Sequence, residues 1–270
     1  MDLGKVDGIR TVLEAVPDSM SAHAGVIMVA ATERKFGLLN ELCSVVNDPR
    51  SQHLVEHKML DILMQRACQI AAGHIDCNDA DWLRGDPSIL AALDRHPVTG
   101  RPGASQETIS RFEANAINEQ NLESVQNVFV DHYLKCNKKR PKQIVLDIDG
   151  MAFTTHGAQE GAIYRGGKYK KEMYFPLMMF INKWLVAATL RFGDKGESTT
   201  VLAELTKVVA RIREQWPNVP IVVRMDAAFG SAELPLVSRE VYRLSAGVDT
   251  KQGIGTVYKT VCRRGGEEIS

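Results

Sequence analysis

Two hydrophobic runs in this 270-residue chain each close on an aspartate. The first reads Gln143-Ile144-Val145-Leu146-Asp147-Ile148-Asp149-Gly150, the second Ile221-Val222-Val223-Arg224-Met225-Asp226. Runs this apolar and this short read as strands buried in a sheet. A carboxylate at the end of such a strand loses hydration unless something cationic meets it. Two such ends set side by side make a hard-oxygen site suited to Mg²⁺ or Mn²⁺. That is the skeleton of phosphoryl transfer assisted by two metal ions.

The composition excludes some partners and permits others. Hydrophobic residues make up 44% of the chain and charged residues 24%, ordinary values for one large globular domain or two smaller ones. Lys+Arg and Asp+Glu are equal at 33 each, so any DNA-binding surface must come from local clustering. Lys138, Lys139, Arg140 and Lys142 form one cluster before the first aspartate run, and Lys168, Lys170 and Lys171 form another after it. From charge alone these read as a solvated linker and a solvated hairpin. The five cysteines are scattered with no C-x-x-C pair, which fits a reducing cytoplasm. The start lacks a secretory pattern, and no apolar run is long enough to span a membrane.

The hydrophobic period changes near residue 142. Before it, Phe36 to Val46 and Leu54 to Ala72 repeat apolar residues at helical spacing, with Leu54, Met59, Ile62, Leu63, Ala67 and Ile70 on one face and Gly73 as a stop. Ser88 to Leu93 reads as a short helix, and Ser105 caps another through Ala116. Leu122 to Leu134 follows closely, so the last two helices have helix-turn-helix spacing, although paired helices more often simply cover a core. After residue 142 the pattern predicts strands at Ile144–Asp149, Met173–Ile181 and Leu185–Arg191, a helix from Ser198 to Trp216, and a fourth strand after Pro220. The crossover allows that fourth strand to lie parallel beside the first, with both aspartate ends on one side of the sheet. This is the element order of ribonuclease-H-like folds. Trp184 and Trp216 read as core residues.

The run Ile144 to Gly150, followed by His156-Gly157-Ala158-Gln159-Glu160-Gly161-Ala162, resembles the catalytic start of bacterial DDE-type insertion-sequence transposases. The helix end Val208 to Arg213 with Trp216-Pro217, and the strand Ile221 to Gly230, resemble the same family. So do Asp48-Pro49-Arg50, Gln65 to His74, Asn78 to Arg84 and Ala104 to Glu113, which correspond to its N-terminal helical region. The resemblance covers roughly residues 21 to 234 in order. It implies metal-dependent cleavage and strand transfer of DNA, with Mg²⁺ or Mn²⁺ as cofactor. It further implies the element's terminal inverted repeats and target DNA as partners, and a homo-oligomer assembled on DNA. The family pattern is Asp, Asp, Glu. Asp226 matches the second acid; the first is Asp147 or Asp149, with Asp147 preferred because it directly ends the apolar run.

No third acid is identified. The match fades near Pro235, Glu233 and Glu240 lie too close to Asp226, and Glu267 and Glu268 sit in a Gly-rich stretch. The expectation is therefore an α/β chain with a helical, DNA-binding region over 1–141, an incomplete ribonuclease-H-like mixed sheet with flanking helices over 142–248, and an irregular tail over 249–270. A truncated transposase of this kind would hold metal weakly. The rival from another class is an inactive DNA-binding fragment that inhibits transposition. His53-Leu54-Val55-Glu56-His57 also spells the H-x-x-E-H zinc-peptidase pattern, which demands both histidines on one helix face. The polar loop around His156 and Glu160 reads as exposed connection unless it approaches DNA.

Overall fold

The computed structural model describes residues 2–6, 9–12, 21–167, 169–191, 201–225, 243–245 and 259–262. The chain divides into two compact units, Met1–Val125 and Gln126–Ser270. That division precedes the expected boundary at 141.

The first unit opens with an antiparallel hairpin of β1 (Asp2–Val6) and β2 (Ile9–Val12), which the sequence pattern did not reveal. Helices α1 (Val26–Phe36), α2 (Leu38–Val45), α3 (Met59–Ala71), α4 (Ala80–Leu83), α5 (Pro87–Ala92) and α6 (Gln106–Ala116) follow. The expected single helix over Phe36 to Val46 is interrupted because Gly37 adopts φ 77°, a conformation that favours glycine. The buried carboxylate of Glu33 then accepts from the backbone N–H groups of Leu39 and Asn40 at 2.9 and 3.1 Å, which caps α2. Helix α3 starts at Met59 rather than Leu54, and Leu54 is exposed. The face that α3 buries also differs from the apolar stripe: Gln65 is buried and Ile70 is exposed. Gln65 is satisfied there because its amide both donates to the Ala104 carbonyl at 2.9 Å and accepts from the Ala104 N–H at 2.7 Å. Ser105 caps α6 as expected, accepting from the Thr108 N–H at 3.3 Å.

Helix α7 (Leu122–Cys136), most of which belongs to the second unit, leads into β3 (Ile144–Gly150). A small antiparallel sheet comes next, built from β4 (Phe153–Thr154), β5 (Ile163–Arg165) and β6 (Lys171–Tyr174) in the order β4-β6-β5. The long strand expected over Met173 to Ile181 is broken by Pro176, which has no N–H for a ladder. Its first part joins the small sheet and its second part is β7 (Leu177–Ile181). Then come β8 (Trp184–Thr189), α8 (Val201–Gln215) and β9 (Ile221–Met225). Two further strands, β10 (Arg243–Ser245) and β11 (Lys259–Cys262), complete a six-stranded sheet ordered β10-β11-β9-β3-β7-β8. The latter falls within the stretch expected to be irregular.

β3 pairs antiparallel with β7 and parallel with β9, from Ile144↔Ile221 to Ile148↔Met225. The fourth predicted strand therefore does lie parallel beside the first. Ile144, Leu146 and Ile148 pack into one core with Val130, Tyr133 and Leu134 of α7 and Val201, Leu205, Val208 and Ile212 of α8. Trp216 is buried in that core and Trp184 packs against it. The fold is a mixed α/β sheet with flanking helices, as expected. Among the described residues no helix is long and apolar enough to cross a membrane.

Leu146 is fully buried, so Leu146→Ala should lower unfolding free energy by about 2–5 kcal/mol, read from urea midpoints. Val145→Ala on the half-buried opposite face should cost less than half of that; equal losses would contradict the assigned core face.

Candidate active site

Alternation along β3 fixes where its two carboxylates point. Ile144, Leu146 and Ile148 face the core, while Val145, Asp147 and Asp149 share the other face. Parallel pairing sets Asp147 directly against Arg224. The Arg224 Nη2 donates to Asp147 Oδ2 at 2.7 Å, and its Nε donates to Oδ1 in a second, shorter contact. This fork-on-carboxylate geometry is the strong form of an ion pair. The hydrogen bonds and charge of Asp147 raise the Arg224 pKa above its ordinary value.

Asp149 lies two residues further, at the C-terminal end of β3. Its side chain is exposed, and Oδ1 accepts from the N–H of Gly150 at 2.8 Å. Gly150 is required there, since a Cβ would come within 2.4 Å of the Phe175 ring. Asp226 follows Met225, the last residue of β9, and lies outside the described residues. Asp147 is thus held by arginine, and Asp149 presents an exposed carboxylate. Among the described residues no three His, Cys, Asp or Glu side chains form a metal-binding cluster.

Arg224 escaped the sequence reading. Its signal was the parallel spacing Asp147-Ile148-Asp149 and Arg224-Met225-Asp226, which becomes informative only once the strands are known to pair in register.

The basic residues occupy two places. Lys138, Lys139, Arg140 and Lys142 are exposed in the connection before β3, where Arg140 donates to the Asn218 carbonyl at 3.5 Å. They precede the N-terminal end of β3, whereas Asp149 lies near its C-terminal end. Lys170 and Lys171 are exposed at the start of β6; Lys168 lies outside the described residues. The loop carrying His156, Gln159 and Glu160 is exposed, as expected for a connection.

Two other sequence patterns resolve into structural roles. His53 sits in a 3₁₀ turn, Gln52–Leu54, and Glu56 and His57 precede α3, so the H-x-x-E-H pattern is not on a helix. His57 is buried, and its Nδ1 faces Arg95 Nη2 at 3.5 Å. Burial, then the charges of Arg101 and Arg95, lower its pKa, which disfavours protonation. The helix-turn-helix spacing also separates: α6 buries Ile109, Phe112 and Ala116 in a cluster of the first unit, whereas Val130, Tyr133 and Leu134 of α7 enter the sheet core.

Residues 5–244 match the family model described as transposase DDE domain group 1. Among solved structures, the chain is similar to that titled a cryo-EM structure of the piggyBac transposase synaptic complex with hairpin DNA, at 10% identity and a TM-score of 0.36. The similarity covers 90% of this chain and 60% of the other, so this chain spans about 60% of its length. No curated protein matches.

The Asp147–Arg224 pair is partly exposed, so breaking it with Asp147→Asn should cost no more than about 1 kcal/mol. Asp147→Arg should cost more, by setting two cations face to face, and adding Arg224→Asp should restore most of the loss in thermal melts. A double variant no more stable than Asp147→Arg would contradict the paired geometry. For His57, the folded-state pKa is depressed, so its stabilising effect is present above the unfolded value of about 6.5 and is lost as pH falls below it. Urea midpoints of His57→Gln should therefore decline less between pH 7 and pH 5 than those of the parent chain.

Proposed function

The chain belongs to the transposase DDE domain group 1 family, and we propose that it cleaves and joins DNA through a carboxylate site at the shared end of β3 and β9. The observation that carries this reading is the division of labour on β3: Asp147 is engaged by Arg224, while Asp149 is exposed where the strand ends. Asp149, rather than Asp147, is accordingly the first acid. Asp226, which follows the last residue of β9 in the chain, is the second acid on this reading.

The exposed carboxylate of Asp149 suits a hard divalent cation, and Asp226 would supply the second oxygen donor of the pair. When bound there, Mg²⁺ or Mn²⁺ would supply stabilisation of the charge that develops on the attacking and leaving oxygens at phosphorus. Arg224 neutralises Asp147, which limits repulsion between neighbouring carboxylates on the same face. Lys138, Lys139, Arg140 and Lys142, before the opposite end of β3 from Asp149, would hold flanking phosphates rather than the reacting one. Lys168, Lys170 and Lys171, 19 to 22 residues after Asp149 in the chain, are a second set of candidate phosphate contacts. Such contacts make affinity fall steeply with salt. The DNA partners on this reading are the ends of a mobile element and a target duplex.

Nicking of supercoiled plasmid by the chain with Mn²⁺ tests the proposal. A low rate is expected, reduced by at least about 100-fold in Asp149→Ala and Asp226→Ala but by less than about tenfold in Asp147→Asn. DNA binding without nicking under any divalent cation would favour the inhibitory DNA-binding role instead.

A further inference from the structure

Strands β3 and β9 carry one cation between them, and we propose that this residue, Arg224, grips a DNA phosphate through the edge of its guanidinium that Asp147 leaves free. The proposal rests on the phosphoryl-transfer reading above and adds the residue that meets the DNA backbone beside the carboxylates.

Residues in register share a face of the sheet, so Arg224, set against Asp147, also shares the face of Asp149. Asp149 is its diagonal neighbour, two residues beyond Asp147 on the adjoining strand, a backbone separation of about 8 Å. A guanidinium carries five N–H donors in one rigid plane. Asp147 takes two of them: Nε donates to Oδ1, and Nη2 donates to Oδ2 at 2.7 Å. The other donors, both on Nη1 and the second on Nη2, lie along the edge turned away from Asp147. Among the described residues nothing else accepts from them, and the Arg224 side chain is 55% exposed.

That edge selects an anion with two oxygens. A phosphodiester presents two non-bridging oxygens, which parallel N–H groups of arginine meet as a fork. Asp147 already fixes the side chain, so holding a phosphate as well costs little further rotamer freedom. A lysine could not do the same, because its ammonium is a single point of charge without separate edges. Without Arg224 the face would set two carboxylates, Asp147 and Asp149, against a polyanion and repel it. The arginine thus has two tasks: one edge cancels Asp147, and the other gives the backbone a place to attach beside Asp149.

Fluorescence anisotropy of the full chain with a labelled DNA duplex tests this, with Ca²⁺ present as a hard, oxygen-seeking ion for Asp149. Arg224→Gln alone should weaken binding, but it also uncovers the charge of Asp147. The charge-balanced double variant Asp147→Asn/Arg224→Gln removes that ambiguity. If Arg224 grips phosphate, the double variant should bind the duplex at least about fivefold more weakly than the parent, while Asp147→Asn alone binds no more weakly. Mn²⁺ binding of the double variant should stay within about threefold of the parent's, which separates a lost phosphate contact from a lost fold. Asp147→Thr/Arg224→Thr, a neutral pair suited to neighbouring strands, should repeat both results. Parental DNA affinity in either double variant would reduce Arg224 to a partner of Asp147; it would overturn the inference and leave the carboxylate site standing. Loss of Mn²⁺ and DNA binding together in both double variants would make the pair a support of the fold, and would overturn the inference as well. Failure of the parent chain to bind DNA would overturn both the inference and the reading on which it rests.

Discussion

The parallel register between β3 and β9 is the constraint on which the candidate site depends. Strand side chains alternate, so a slip of one residue would turn Asp147 and Asp149 into the core and Leu146 towards solvent. Burial of Ile144, Leu146 and Ile148 against Ile221, Val223 and Met225 resists that slip with several apolar side chains. On the opposite face the Asp147–Arg224 fork recognises the same register by charge and shape. The apolar layer dominates the energy, since a partly exposed ion pair contributes little. The fork contributes specificity, because only the native pairing puts that arginine opposite that aspartate.

Much of this was legible in the sequence, for identifiable reasons. The apolar runs at Ile144 and Ile221 are too short and too continuous for helices, and Pro217 and Pro220 punctuate the crossover between helix and strand. Ser105 carried its capping role in its position before Gln106-Glu107-Thr108. Other features were hidden because tertiary context decided them. Gln65 reads as a surface residue until Ala104 supplies both of its hydrogen-bond partners. Gly37 reads as one weak point in a helix until Glu33 folds back to cap the next one. The H-x-x-E-H pattern reads as helical until a 3₁₀ turn carries His53 out of line with His57.

The site itself was half legible. The aspartates at the end of β3 offer two candidates for the first acid, and the choice proposed between Asp147 and Asp149 rests on the neighbour on the next strand. An apolar run ending in aspartate favours whichever carboxylate comes first. The proposed assignment departs from that preference, because a carboxylate already bidentate to arginine is poorly placed to take a second cation. The small sheet between β3 and β7 was missed because its strands are short and expose large apolar residues.

Binding of Mn²⁺, followed by the loss of the free-ion signal in electron paramagnetic resonance, tests the assignment of the first acid most directly because it needs no DNA substrate. Asp149→Asn should weaken binding by at least about tenfold, whereas Asp147→Asn should change it by less than about threefold. Weak binding in Asp147→Asn with parent-like binding in Asp149→Asn would contradict the account.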